Sequence, residues 1–204
     1  MVSFDEQAIL DNGAYIYNQR AEIERIADEI CEKGFDSIFF TSSGGSLAMM
    51  QPFDYMVSVM SDIPVQSQVS ADFLTVGNRR IGKGTLAFMA SKSGDTKETV
   101  AAAKAAKDAG CTIVSTLGVD GSPLGELSDY GVIYKQGRPM ELVLYLLIGK
   151  ILKNRGFFDD YDRFADELVN LPAALVSVGK NADEMARAYA LKHKDDPYQI
   201  WIGS

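Results

Sequence analysis

Apolar residues recur at helical spacing through the opening of the chain: Ile9, Ile16, Ile23, Ile26, Ala27 and Ile30 share one face of residues 5–33, and Gly34 follows as a stop. This pattern predicts one long amphipathic leading helix over residues 1–34. The period then changes. Ser37-Ile38-Phe39-Phe40-Thr41 is a short continuous apolar run that arrives at Ser42-Ser43-Gly44-Gly45-Ser46, and helical spacing resumes over Leu47–Met60. The order strand, glycine-serine bend, helix then repeats. Thr85–Ala90 is a strand that meets Ser91-Lys92-Ser93-Gly94-Asp95-Thr96 before the alanine-rich helix Lys97–Ala109.

Between these repeats, Pro64–Val69 reads as a strand, Ser70–Val76 as a helical turn and Gly77–Gly84 as a polar connection. Further along, Cys111–Thr116 and Gly131–Tyr134 are strands separated by a short helix at Pro123–Leu127, and Met140–Lys153 is a strongly apolar helix. Five strands interleaved with helices predict an α/β fold, a doubly wound five-stranded parallel sheet covered on both faces, over residues 35–157. Residues 158–196 follow as a helical connector, with helices at Asp159–Asn170 and Pro172–His193, the second opened by a proline in its first turn. The last residues, Tyr198–Ser204, again bring an apolar run to Gly-Ser, which predicts over 197–204 the first strand of a second α/β domain. The alternative is an edge strand added to the first sheet.

The formal charge of −8 opposes the field that a polyanion-binding surface needs, so nucleic acid and anionic membrane are excluded as bulk partners. A small anion is not excluded, because backbone N–H groups at a helix start bind phosphate locally whatever the net charge. No leader-like segment opens the sequence and no apolar run reaches the ~20 residues of a membrane span, which predicts a cytoplasmic protein. Cys31 and Cys111 stand far apart without metal-ligand spacing and read as buried thiols; no metal and no cofactor is expected.

With strand order 2-1-3-4-5, the flavodoxin-like order, the carboxyl ends of the first and third strands flank the topological switch point, where ligands of open α/β sheets bind. Both hydroxyl-bearing bends follow those two strands. Glycines let the backbone approach an anion, Ser and Thr donate hydroxyl hydrogens, and the helix start adds free N–H groups and the positive end of a dipole. The simpler reading is that Gly44 and Gly45 only make a turn and that Asp95 and Glu98 only cap a helix. Gly77–Gly84 approaches the nucleotide P-loop spacing, but Gly84 replaces the metal-binding hydroxyl and the stretch precedes a strand instead of opening a helix, so nucleotide hydrolysis is set aside. His193 reads as a solvated helix-end residue, Glu141 as a dipole partner or a general base, and Met49, Met50, Met56 and Met60 as core filling.

The runs Phe40-Thr41-Ser42-Ser43-Gly44-Gly45-Ser46-Leu47 and Ala90-Ser91-Lys92-Ser93-Gly94-Asp95-Thr96-Lys97-Glu98-Thr99 resemble the two ligand loops of the SIS (sugar isomerase) family, and within it are most similar to deglycases of phosphorylated fructose-amino acids. The resemblance covers about residues 20–155 and implies that Gly44, Gly45, Ser46, Ser91, Lys92, Ser93 and Thr96 bind a sugar 6-phosphate. In it, Ser93 and Thr96 hold the phosphate, Ser91 and Lys92 help, and Ser46 reaches in from the first bend. Lys92 departs from the glutamine of the glucosamine-phosphate synthase branch. The resemblance also implies a homodimer built through these domains and the connector helices, with the glutamate and histidine acid/base residues in a second domain; the catalytic residues of this chain stay unassigned. The implied reaction turns a 6-phosphofructosyl-amino acid into glucose 6-phosphate and an amino acid; an aldose–ketose isomerase and a sugar-phosphate sensor are the alternatives.

Overall fold

The computed structural model describes residues 5–135 and 139–198. Two helices, α1 (Glu6–Tyr17) and α2 (Arg20–Lys33), lead into β1 (Ser37–Ser42), α3 (Gly45–Met60), β2 (Val65–Val69), α4 (Ser70–Val76), β3 (Thr85–Ser91), α5 (Lys97–Asp108), β4 (Thr112–Leu117), α6 (Pro123–Leu127), β5 (Tyr130–Ile133) and α7 (Met140–Asn154). Then follow α8 (Tyr161–Glu167), a 3-10 turn (Leu168–Asn170) and α9 (Leu171–Lys192). The sheet has order β2-β1-β3-β4-β5 and every pairing is parallel. The predicted α/β class and switch point between β1 and β3 therefore stand.

The central strands are continuous apolar runs because both of their faces are covered, and period-two alternation divides them between two cores. Ile38, Phe40, Leu86, Phe88 and Val114 point into the larger core with α2, α3 and α7, whereas Phe39, Ala87, Met89 and Ile113 meet α4, α5 and α6. Phe40 stacks on Phe88 with ring centroids 5.3 Å apart. Burying each such ring contributes about 1.5–3 kcal/mol, which holds β1 against β3 and so fixes the spacing of the two bends at their ends. Alanines 102, 103 and 106 give α5 its close approach to the sheet.

The single leading helix is corrected to two. No glycine or proline stands at Asn18-Gln19; the turn closes with Gln19 N–H donating to Ile16 O at 2.9 Å, and α2 restarts at Arg20. Packing supplies the break. α2 lies along α7, while α1 turns to α9, where Gly13 sits so tightly on Pro172 that a Cβ would come within 2.0 Å of its ring. Arg20 locks the corner by pairing with Glu24 at 2.7 Å and with Asp166 at 2.6 Å.

The larger core also continues past residue 157: Tyr161 is fully buried and the single hydrogen of its hydroxyl is within reach of two acceptors, Glu24 Oε1 at 2.9 Å and Leu146 O at 3.1 Å. Burial and the adjacent Glu24 carboxylate push its phenol far above the usual range. Ser70–Val76, expected as a turn, is a two-turn helix. The expected strand at Tyr198–Ile202 lies almost wholly outside the described residues; Tyr198, at its start, is exposed.

Candidate functional site

The first bend is short because β1 runs on to Ser42 and α3 already starts at Gly45. Gly44 takes φ +55°, a conformation that favours glycine, and the N–H groups of Leu47 and Ala48 close on its carbonyl at 3.1 and 3.2 Å. Ser46, predicted in the bend, is thus in the first turn of α3, half-buried, beside the exposed Gly44 and Gly45. No acidic residue occupies this first turn to offset the positive helix end.

The second bend is held by its own hydroxyls. Ser91 is the last residue of β3 and is buried; its Oγ accepts from Gly94 N–H at 2.9 Å and lies 3.1 Å from Thr96 Oγ1. Thr96 stands at the N-cap of α5, and because its side chain turns to Ser91 it caps no helix N–H. Lys92, Ser93 and Asp95 are exposed at the crest. The simpler reading, a side-chain cap from Asp95, finds no such bond among the described hydrogen bonds; Glu98 stands in the first turn of α5, whose opening N–H groups have no side-chain cap from Thr96.

Two serine side chains join the bends. Ser42 Oγ hydrogen-bonds Ala90 O and accepts from Ala90 N–H at 3.1 Å, and Ser43 Oγ lies 3.3 Å from Thr99 Oγ1 in the first turn of α5. The expected convergence of the two bends on neighbouring strand tips is therefore present, and all seven predicted residues belong to these two segments. A third segment braces them. Gly118 N–H donates to Ser91 O at 3.2 Å and Leu124 N–H to Gly94 O at 2.9 Å, while the buried hydroxyl of Ser122, without a hydrogen-bond partner, rests against Gly94. Gly94 has φ +75°, and a Cβ there would fall 2.1 Å from Ser122 Oγ. Ser43, Thr99 and Ser122 were not singled out from the sequence. The first two stand inside the serine-rich and threonine-rich runs that could have flagged them, whereas Ser122 carries no local signal.

The remaining candidates lie elsewhere. The P-loop-like stretch ends at the amino edge of the sheet, before β3. His193 is the C-cap of α9, where its Nδ1 lies 2.7 Å from Asp196 and its ring stacks on Tyr189. Glu141 occupies the first turn of α7 on the wall of a cleft of about 390 Å³, which it shares with Met49 of α3 and with α1 and α9. The nearby Tyr134 phenol is pushed up, first by burial and then by the Glu141 charge. Both thiols are free, and burial raises the Cys31 and Cys111 pKa values above the ordinary thiol range. Among the described residues no cluster of His, Cys, Asp and Glu could hold a metal, and no helix is long and apolar enough to cross a membrane.

Comparison with known proteins places this geometry. The family model described as SIS domain matches residues 33–147. The glutamine–fructose-6-phosphate aminotransferase (isomerizing) of Thermotoga maritima is 31% identical over 183 residues, 84% of this chain and 30% of that protein. Fructosamine deglycase FrlB of Bacillus subtilis is 27% identical over 179 residues, 82% of this chain and 55% of that protein. A solved Bacillus subtilis structure, described as a candidate phosphosugar isomerase, superposes with a TM-score of 0.80 at 24% identity, over 89% of this chain and 58% of that one. The chain thus spans about a third to a little over half the length of these relatives.

Proposed function

The chain belongs to the SIS domain family, and on that premise we propose that it binds a sugar 6-phosphate on the paired bends and serves phosphosugar metabolism as a deglycase of 6-phosphofructosyl-amino acids. Ser93 and Thr96 hold the phosphate together with the free N–H groups at the start of α5, and Lys92 adds positive charge. Gly44 and Gly45 let the first bend approach, and Ser46 reaches the ligand from the first turn of α3. Ser91 acts from beneath, shaping the second bend. The Ser43–Thr99 bond supports this reading best, because it draws the first bend against the helix start that follows the second and so makes two weak anion sites into one.

In the deglycase reaction, a proton leaves C1 of the 6-phosphofructosyl amine, C2 takes up a proton, and water cleaves the resulting imine to glucose 6-phosphate and the free amino acid. Each proton transfer needs a positioned acid or base, ordinarily worth about 10²–10⁴-fold. The SIS reading assigns those groups to a second domain and the working unit to a cytoplasmic homodimer, while the residues described here bind and orient. Support for the deglycase branch comes from the likeness to fructosamine deglycase FrlB.

Isothermal titration of the chain with fructose 6-phosphate, sulfate and ATP tests the binding step. Fructose 6-phosphate binds, sulfate competes with it, and Thr96→Val abolishes the heat. Binding of ATP in place of the sugar phosphate, or fructose 6-phosphate binding that survives Thr96→Val, contradicts the assignment.

A further inference from the structure

Ser122 rests against the second bend with a buried hydroxyl that makes no bond. We propose that it is a positioning residue of the phosphate site: once an anion occupies the bend, Ser122 Oγ–H turns to donate to Gly94 O, and the Gly94–Asp95 peptide couples that bond to one from Asp95 N–H to the phosphate. The inference deepens the phosphate-binding reading above and rests on it.

The hydroxyl is orphaned for a visible reason. Ser122 is only 4% exposed, its Oγ is closed to solvent, and among the described residues it has no hydrogen-bond partner. Yet it stands where a serine ordinarily bonds, at the N-cap of α6 with Pro123 next, and a capping serine accepts from the N–H two or three residues on. Here Leu124 N–H donates instead to Gly94 O at 2.9 Å, and Ser122 caps nothing. Docking α6 on the bend takes the cap from the side chain and leaves a buried donor unused, which destabilises the empty protein.

Gly94 is where that donor finds a use. At φ +75° it stands so close that an added Cβ would fall 2.1 Å from Ser122 Oγ, and its carbonyl, with one lone pair on Leu124 N–H, keeps a second. The other end of the same peptide is Asp95 N–H, just ahead of the α5 start, and among the described hydrogen bonds it has no acceptor. Gly94 N–H is already fixed on Ser91 Oγ at 2.9 Å, so the bend offers a phosphate the next N–H along while keeping its own turn. When Asp95 N–H donates to an anion, the carbonyl of that peptide becomes a stronger acceptor, and bonds in such a chain reinforce one another. The empty site leaves Ser122 Oγ–H idle; the occupied site employs it.

The test is Ser122→Ala, read by thermal unfolding, by titration with fructose 6-phosphate and by the amide spectrum. Two effects of opposite sign are expected. The melting temperature of the free variant rises by about 2–4 °C, because one unsatisfied buried hydroxyl is gone, while fructose 6-phosphate binds about five- to tenfold more weakly. At saturation the downfield shift of the Asp95 amide proton is smaller than in the unaltered chain, and the shifts at Gly44 and Ser46 are retained. A serine that only fills space predicts affinity within twofold of the unaltered chain, and a serine that only holds the fold predicts a lower melting temperature or an unfolded variant; any of these, or an Asp95 shift of undiminished size, overturns the proposal while the phosphate site stands. If the unaltered chain does not bind fructose 6-phosphate, the phosphate reading fails and this proposal fails with it.

Discussion

The two edges of the sheet make an instructive pair, because the edge lined by three lysines is the one at which the helices end. At the amino edge, Lys33, Lys83 and Lys107 surround a cleft of about 530 Å³ beside Gly84 and Gly110. Yet α2 and α5 end there, presenting carbonyls and negative dipole ends. Lys107 is consumed by Leu127 O at 2.6 Å and by Asp129 at 3.6 Å. At the carboxyl edge, α3 and α5 begin, with hydroxyls and free N–H groups around the two bends. The direction of the backbone, more than the count of cationic side chains, decides where a phosphate is stabilised. For the same reason the P-loop-like spacing of Gly77–Gly84 misleads: its glycines and lysine are at the end of the sheet where the helices finish.

The largest effect that would sharpen this contrast comes from Gly94→Ala. A side chain at φ +75°, pressed into Ser122, costs about 2–4 kcal/mol in urea unfolding and removes sugar-phosphate binding with it, whereas Gly34→Ala near the amino edge, where φ is +81° but a Cβ meets nothing within 4 Å, costs only about 1 kcal/mol. Next, Ser93→Ala weakens fructose 6-phosphate binding about 10–100-fold in titration calorimetry, the loss of one charge-assisted hydrogen bond, while Lys83→Ala changes it less than twofold. A larger loss from Lys83 than from Ser93 would break the comparison. Ser43→Ala gives a smaller change, about 0.5–1.5 kcal/mol in stability and a several-fold weaker ligand, because it severs one bond between the bends and leaves each intact.

The smallest effect is kinetic and belongs to the amino edge. Burial raises the Cys111 thiol pKa, so at pH 8 less of it is thiolate than in a free thiol, and its reaction with a disulfide reagent is slower than that of glutathione; the rate rises as pH increases toward the raised value. Saturating fructose 6-phosphate leaves that rate unchanged if the ligand sits at the opposite edge. Protection of Cys111 by the ligand would place it at the wrong end of the sheet.

Much of this arrangement was legible in the residues. Runs such as Ile38-Phe39-Phe40 and Leu86-Ala87-Phe88, short and closed by glycine-serine bends, read as strands buried on both faces, and the serine-rich bends after them mark the switch point once the strand order is assumed. The break at Asn18-Gln19 was not legible, because it contains no helix breaker and is imposed by Gly13 meeting Pro172, residues 159 positions apart in sequence (172 − 13). Ser122 stayed hidden for a similar reason. Its hydroxyl matters through contact with Gly94, and the Gly-Ser-Pro turn that contains it looks like any helix start. Ser91 was visible as a hydroxyl, but that it faces inward to Gly94 N–H and Thr96 depends on how far β3 extends, and strand ends are the least readable feature of a sequence.

The central claim is that both bends grip one anion, and amide chemical-shift mapping of the labelled chain with fructose 6-phosphate tests it directly. Saturable shifts at Gly44, Gly45 and Ser46 together with Ser93, Gly94 and Thr96, at one common dissociation constant, are the expected result. Shifts confined to one bend, or centred on Lys33, Lys83 and Gly110, would contradict it.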